Sequence, residues 1–226
     1  MANILFFIFS FFILFYLLNK NESTPVKIKL LFIQKLNLIA FSTVLLISSL
    51  NYFKILFFSN TYISNLLIYF SLIALVLYNH KKIKTFFTPQ LKILSVFKVA
   101  FTTFFYASSL AVFFILIGTG KGYYNYFSDN FISVFLFICL LPAVSEELFY
   151  RGIIYDKLAG LYSTRKTIII SSILFYLLHL VNSSFWIIIT IFPVSIYLGY
   201  LRSKYNNLIY PIICHIVYNL VVLNFT

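Results

Sequence analysis

Two adjacent glutamates, Glu146 and Glu147, stand in a chain with only three other acids, Glu22, Asp129 and Asp156. They follow directly on the apolar stretch from Phe131 to Val144. A charged side chain deep in a bilayer costs roughly 2.5–3.5 kcal/mol on insertion scales, so an ionisable residue held there is read first as functional. A solvated surface is the usual setting for paired acids, but apolar flanks on both sides argue against it here. Glu147 and Arg151 are spaced i,i+4, share a helix face and can pair. Glu146 and Tyr150 share the adjacent face.

Three histidines occur. His80 opens a Lys-rich loop and reads as a solvated interfacial residue. His179 and His215 fall inside apolar stretches, where a helix–helix hydrogen bond would account for either one alone. Beside the diglutamate they suggest a common site. His215 and Asn219 are i,i+4 and project together as two hydrogen-bond donors. Such a set suits amide hydrolysis, in which a carboxylate takes a proton from water and donors hold the tetrahedral oxyanion. Glu146, His179 and His215 could equally ligate a zinc ion that leaves one position open for water. The residue types do not decide between these, and the expectation adopted is no tightly bound metal, with zinc on those three as the alternative.

The elements that must hold these groups are membrane helices. Hydrophobic residues make up 62% of the 226 and charged residues 10%, with mean hydropathy +0.99, which excludes an ordinary water-soluble domain. The expected class is all-α: a polytopic membrane protein of eight transmembrane helices with an intramembrane site open to the cytoplasm. Spans are expected at about 3–18, 36–53, 61–79, 99–117, 131–149, 167–182, 185–201 and 208–225, near the length that crosses ~30 Å of hydrocarbon. The first reads as an anchor rather than a signal peptide, because no basic segment precedes it and no small-residue cleavage site follows Leu18. A single membrane domain over 1–226 is expected, with four N-terminal spans in 1–130 and a core in 131–226 that carries the motifs.

The net charge of +12 does not imply nucleic acid, because the cations fall in the segments between spans. Fifteen of them follow spans one, three, five and seven, among them Arg151, Lys157, Arg202 and Lys204; Lys54 and Lys121 alone lie on the other side. The positive-inside rule then puts the fifteen in the cytoplasm and both termini outside. Glu146 and Glu147 are expected near the cytoplasmic end of span five, with the two buried histidines in the same half. Pro142 is expected to kink span five, and Gly199 to allow close helix approach or plain packing. Cys139 and Cys214 both lie in spans, so a structural disulfide is not expected. Gly118-Thr119-Gly120-Lys121-Gly122 lacks the Ser/Thr and the strand-to-helix setting of a phosphate loop. Asn21-Glu22-Ser23 and Asn182-Ser183-Ser184 match the glycosylation pattern without a credible setting.

Glu146-Glu147…Arg151, Phe175…His179 and His215…Asn219, in that order on three spans, resemble the CAAX-protease and bacteriocin-processing family of intramembrane endopeptidases. The flanking Leu148-Phe149-Tyr150 and Gly152, Leu198-Gly199-Tyr200-Leu201, and Pro211-Ile212-Ile213-Cys214 agree with it. The likeness covers roughly residues 130–225. It implies an eight-helix fold in the cell membrane, with a cytosol-facing site that cleaves small membrane-associated or lipidated peptides. By position Glu146 would activate water and His179 would position or share that proton. His215 and Asn219 would hold the oxyanion, and Glu147 and Arg151 would keep the site in shape. In a bacterial host the substrates would be peptide-pheromone or bacteriocin precursors or signal-peptide remnants. The alternatives are a non-catalytic immunity or regulatory scaffold of the same fold, and a proton-coupled transporter, which the lack of internal repeats disfavours.

Overall fold

Long apolar runs without acids leave the backbone one way to satisfy its hydrogen bonds in lipid, and the chain is helical throughout what is described. The computed structural model describes residues 2–20, 22–52, 61–79, 86–87, 91–116, 131–179 and 185–222. Eight helices follow one another: α1 (Ala2–Asn19), α2 (Thr24–Tyr52), α3 (Thr61–Asn79), α4 (Ile93–Leu116), α5 (Phe131–Ala159), α6 (Thr164–His179), α7 (Phe185–Tyr205) and α8 (Ile209–Val222). Among the described residues, α2, α4 and α5 are long and apolar enough to cross a membrane.

Two apolar cores form. One joins α1, α2, α3, α5 and α6 through residues such as Phe11, Leu30, Val76, Phe149 and Leu174. The other joins α4, α7 and α8 through Ala107, Leu198, Tyr210 and Cys214. The outer face of α4 carries Phe97, Phe101, Phe104 and Phe105, all exposed, as expected of a helix that faces lipid.

α5 has an irregular hydrogen-bond ladder. Phe135–Leu140 and Leu148–Ile154 form π-turns on either side of a regular stretch, Leu141–Glu147. Pro142 has no N–H and its ring crowds the carbonyl four residues back, so the wider turn just before it relieves both problems. The expected irregularity at Pro142 therefore takes the form of a π-turn.

Three sequence expectations change. Span five does not stop near Phe149: α5 runs to Ala159, so Glu146 lies at its middle rather than its end. The helix continues because Arg151 is neutralised internally and Gly160 provides the stop. The cations read as loop residues are mostly helical: Lys27, Lys29 and Lys35 lie on α2, Lys98 on α4, Arg151 and Lys157 on α5, Arg165 and Lys166 on α6, and Arg202 and Lys204 on α7. Arg151 and Arg202 are also buried. His80, Lys54, the Gly118–Gly122 segment, Asn21 and residues 182–184 lie outside the described residues. Cys139 and Cys214 are both buried free thiols.

Gly199 has its close approach: a Cβ there would stand 3.1 Å from Ile168 Cγ2, where α7 packs on α6. α7 ends at Asn206, in the left-handed region at φ 46°, which asparagine tolerates better than most residues. The Asn207 side chain then accepts the Ile209 N–H, satisfying a free donor at the start of α8.

Candidate active site

Antiparallel geometry brings the motifs level. Counting back along α5 from the hairpin at 160–163, and forward along α6 by a similar number of residues, reaches Glu146 and His179 at roughly 20 Å from the turn. Their side chains do meet, with His179 Nε2 3.7 Å from Glu146 Oε2. From α8, His215 Nε2 stands 3.9 Å from the same oxygen. Both separations exceed a hydrogen bond and are of a length that one bridging water closes. Glu146 is 6% exposed, and its Oε2 has no hydrogen-bond partner among the described residues.

Each imidazole is fixed by its other nitrogen. His179 Nδ1 lies 3.0 Å from the Phe175 carbonyl, one helical turn earlier. That oxygen can only accept, so Nδ1 carries a proton and Nε2 is the nitrogen turned towards Glu146. His215 Nδ1 lies 3.0 Å from Glu147 Oε1, and by the same reasoning donates to that carboxylate.

Glu147 is fully buried and shared. The same Oε1 accepts Arg151 Nη1 at 2.9 Å, the i,i+4 pair read from the sequence. Arg151 Nη2 donates to the Ser195 carbonyl at 2.9 Å and to its hydroxyl at 2.7 Å. The guanidinium also lies over the Phe175 ring, 4.3 Å from its centroid. One arginine thus ties α5 to α6 and α7. Tyr150, beside Glu146 in the sequence reading, is buried with its ring edge-on to Phe175.

A cavity of about 190 Å³ opens beside these groups, lined by Glu146, His179, His215 and Asn219, with Pro142 and Tyr69 among its other walls. All six sequence-nominated residues therefore converge: four at the cavity, with Glu147 and Arg151 behind them. The cavity lining runs from Glu146 towards the start of α5, the ends of α6 and α8 and the first half of α7. It occupies the half of the bundle away from the hairpin at 160–163 and from the cationic helix ends.

Residues 128–221 match the family model described as Rce1-like, type II CAAX prenyl endopeptidase. This segment of the chain is similar to the CAAX-protease family. The likeness points to a CAAX-type protease, and the matched segment contains every residue of the convergent set. No curated protein and no solved structure matches the chain.

The trio Glu146, His179 and His215 is the donor set a metal would use. Tetrahedral zinc with ligands at ~2.0–2.1 Å holds them about 3.3 Å apart. Here the spacings are 3.7 and 3.9 Å, and no group of three or more His, Cys, Asp or Glu among the described residues is gathered closely enough. These spacings are a few tenths of an ångström wider than a zinc shell, and no chemical step is routed through a metal.

Some residues at the site left no trace in the sequence. Tyr69 reaches the cavity from α3. Ser195 receives Arg151, and its own hydroxyl donates to the Ser172 carbonyl at 3.3 Å. Arg202 Nε donates to the Arg151 carbonyl at 3.0 Å, within the second π-turn, and Nη2 to Asp156 at 3.0 Å. Arg202 looked like one more cation at a span end, and only a long-range contact distinguishes it.

Proposed function

We propose that the protein is an intramembrane endopeptidase that hydrolyses peptide bonds of small membrane-associated or lipidated peptides. The observation that carries this is the buried, unpartnered Glu146 Oε2 facing two imidazole Nε2 atoms at 3.7 and 3.9 Å across a cavity. A water between these atoms donates a proton to Glu146 as its oxygen attacks the scissile carbonyl. His179, whose Nε2 faces Glu146, takes that proton on and returns it to the amine nitrogen as the C–N bond breaks. The oxyanion is met by Asn219 and by His215. Because His215 already gives Nδ1–H to Glu147, it presents a second N–H at Nε2 only as the imidazolium, whose charge Glu147 balances. Glu147 and Arg151 hold that ring in register. A buried carboxylate with a polarised water is also what a proton-coupled transporter would use, but the donor pair on α8 supports acyl chemistry.

The test compares peptides from host membranes and medium by mass spectrometry, wild type against Glu146→Gln at equal protein levels. Peptide termini present with wild type and absent with the variant are expected. Identical profiles would reassign the fold to a non-catalytic immunity or regulatory role.

A further inference from the structure

The second π-turn of α5 redirects one backbone hydrogen bond behind the catalytic cavity. In a regular α-helix the Tyr155 N–H would donate to the Arg151 carbonyl, four residues back. Here it donates to the carbonyls of Tyr150 and Gly152 and passes Arg151 over. Arg151 is fully buried, so water does not reach that oxygen. Arg202 Nε reaches it from α7, donating at 3.0 Å.

Arg202 is fixed through all three of its nitrogens. Besides the Nε bond, Nη1 donates to the Asn206 side chain and Nη2 to Asp156, each at 3.0 Å. α7 thereby grips Arg151 at both ends. Ser195 and Arg202 are seven residues apart, two helical turns on one face. Ser195 takes the guanidinium of Arg151, and Arg202 takes its carbonyl. From there the path to the cavity is short. Arg151 Nη1 donates to Glu147 Oε1 at 2.9 Å, and the same oxygen lies 3.0 Å from His215 Nδ1. Glu147, Arg151, Arg202 and His215 are all buried, whereas the Asp156 side chain is 37% exposed. An ion pair so open to solvent holds little, so the carbonyl bond is where Arg202 acts.

We propose that Arg202 is a positioning residue of the catalytic site. Through the Arg151 carbonyl it holds the π-turn, and with it the Glu147 carboxylate, where that carboxylate receives His215 Nδ1–H. Without that bond the π-turn relaxes towards regular helix, because the Tyr155 N–H is the ordinary donor to the same carbonyl. The change of winding turns Arg151 relative to Glu147, and the imidazole loses register with Glu146. A misplacement of ~1 Å that begins away from the chemistry costs about 10²-fold in rate. The link to turnover rests on the endopeptidase reading; the hold on His215 does not.

Two measurements on the purified full-length protein in detergent test this. In the first, histidine is isotope-labelled and the imidazole N–H protons are observed by NMR. A carboxylate-bonded N–H resonates well downfield, and the His215 signal is the one lost in His215→Asn. It should persist in Asp156→Ala and move upfield or vanish in Arg202→Met. Because Arg202→Met leaves Asp156 without its cation, Arg202→Met combined with Asp156→Ala is measured beside it and should lose the signal alike. In the second, a peptide that wild type cuts is taken from a proteome-derived library, and kcat and KM are measured on it. Arg202→Met should lower kcat roughly 10²-fold with KM little changed, while Asp156→Ala keeps the wild-type kcat. A signal or a kcat unmoved in folded Arg202→Met overturns the proposal. So does an equal loss in Asp156→Ala, which would make the ion pair a plain staple between helices. Failure of both Arg202 variants to fold would likewise make Arg202 part of the scaffold and overturn it. The signal moving as expected, with no peptide cut by wild type, would leave Arg202 as the support of His215 and remove the endopeptidase reading instead.

Discussion

Glu146 and Glu147 each keep one buried oxygen without a hydrogen-bond partner, but Glu146 lines the cavity and faces two imidazoles, while Glu147 is bonded through its other oxygen to both Arg151 and His215. This asymmetry assigns different work to two residues that the sequence makes equivalent. Glu146→Gln preserves shape and removes the base, so turnover should fall roughly 10²–10⁴-fold, with the melting temperature in detergent little changed; wild-type turnover would remove Glu146 from the role. Arg151→Ala acts through stability. It leaves the Glu147 carboxylate uncompensated at zero exposure, a loss of about 3–5 kcal/mol. Folded yield should drop along with activity, and Arg151→Ala combined with Glu147→Ala should recover yield but not activity. A double variant no better folded than the single one would mean that the pair is not the source of the loss. The metal question is also decided by residues: with spacings wider than a zinc shell, activity should survive dialysis against a strong chelator. Loss restored by added zinc would instead make Glu146, His179 and His215 its ligands.

At the scale of elements, α5 is positioned by its irregularities. The second π-turn carries Arg151 and offers its carbonyl to Arg202, and the next residue, Gly152, admits the buried ring of Phe86. A Cβ at Gly152 would stand 2.8 Å from Phe86 Cε2, closer than carbon atoms pack. Gly152→Ala should therefore cost about 1–3 kcal/mol as an overpacked core, with Phe86→Leu relieving part of it in the double variant; additive losses would rule out that contact as the cause. The i,i+4 pairs Glu147–Arg151 and His215–Asn219 were legible in the sequence because helical period alone carries them. Contacts such as Ser195 with Arg151 and Arg202 with Asp156 were not, since they join different helices and leave no periodic trace. The end of the fifth helix was drawn too early for a related reason. A span end drawn where charges begin assumes that charges face water, and Arg151 is instead neutralised inside the bundle.

For the whole molecule, the apolar surface states that it lives in a bilayer but not which way up. The ends of α5, α7 and α2 that carry the cations gather at one side, where the Arg202–Asp156 pair and the Phe86–Leu208 backbone bond tie the hairpins together. The positive-inside tendency puts that side in the cytoplasm. The catalytic cavity lies in the opposite half, between the start of α5 and the ends of α6 and α8. Cationic ends inside and a cavity reached from the inside are therefore competing statements about one molecule, and a single label separates them. Ser163, exposed in the hairpin between α5 and α6, can be made the sole thiol by Ser163→Cys with both native cysteines replaced by alanine. If charge sets the orientation, a membrane-impermeant maleimide should label it only after the cells are permeabilised, and the peptide would then reach Glu146 from the outer half of the bilayer. Labelling in intact cells would invert the molecule, bring the cavity to the cytoplasmic half, and make the cations of α5 and α7 structural charges instead of topological ones.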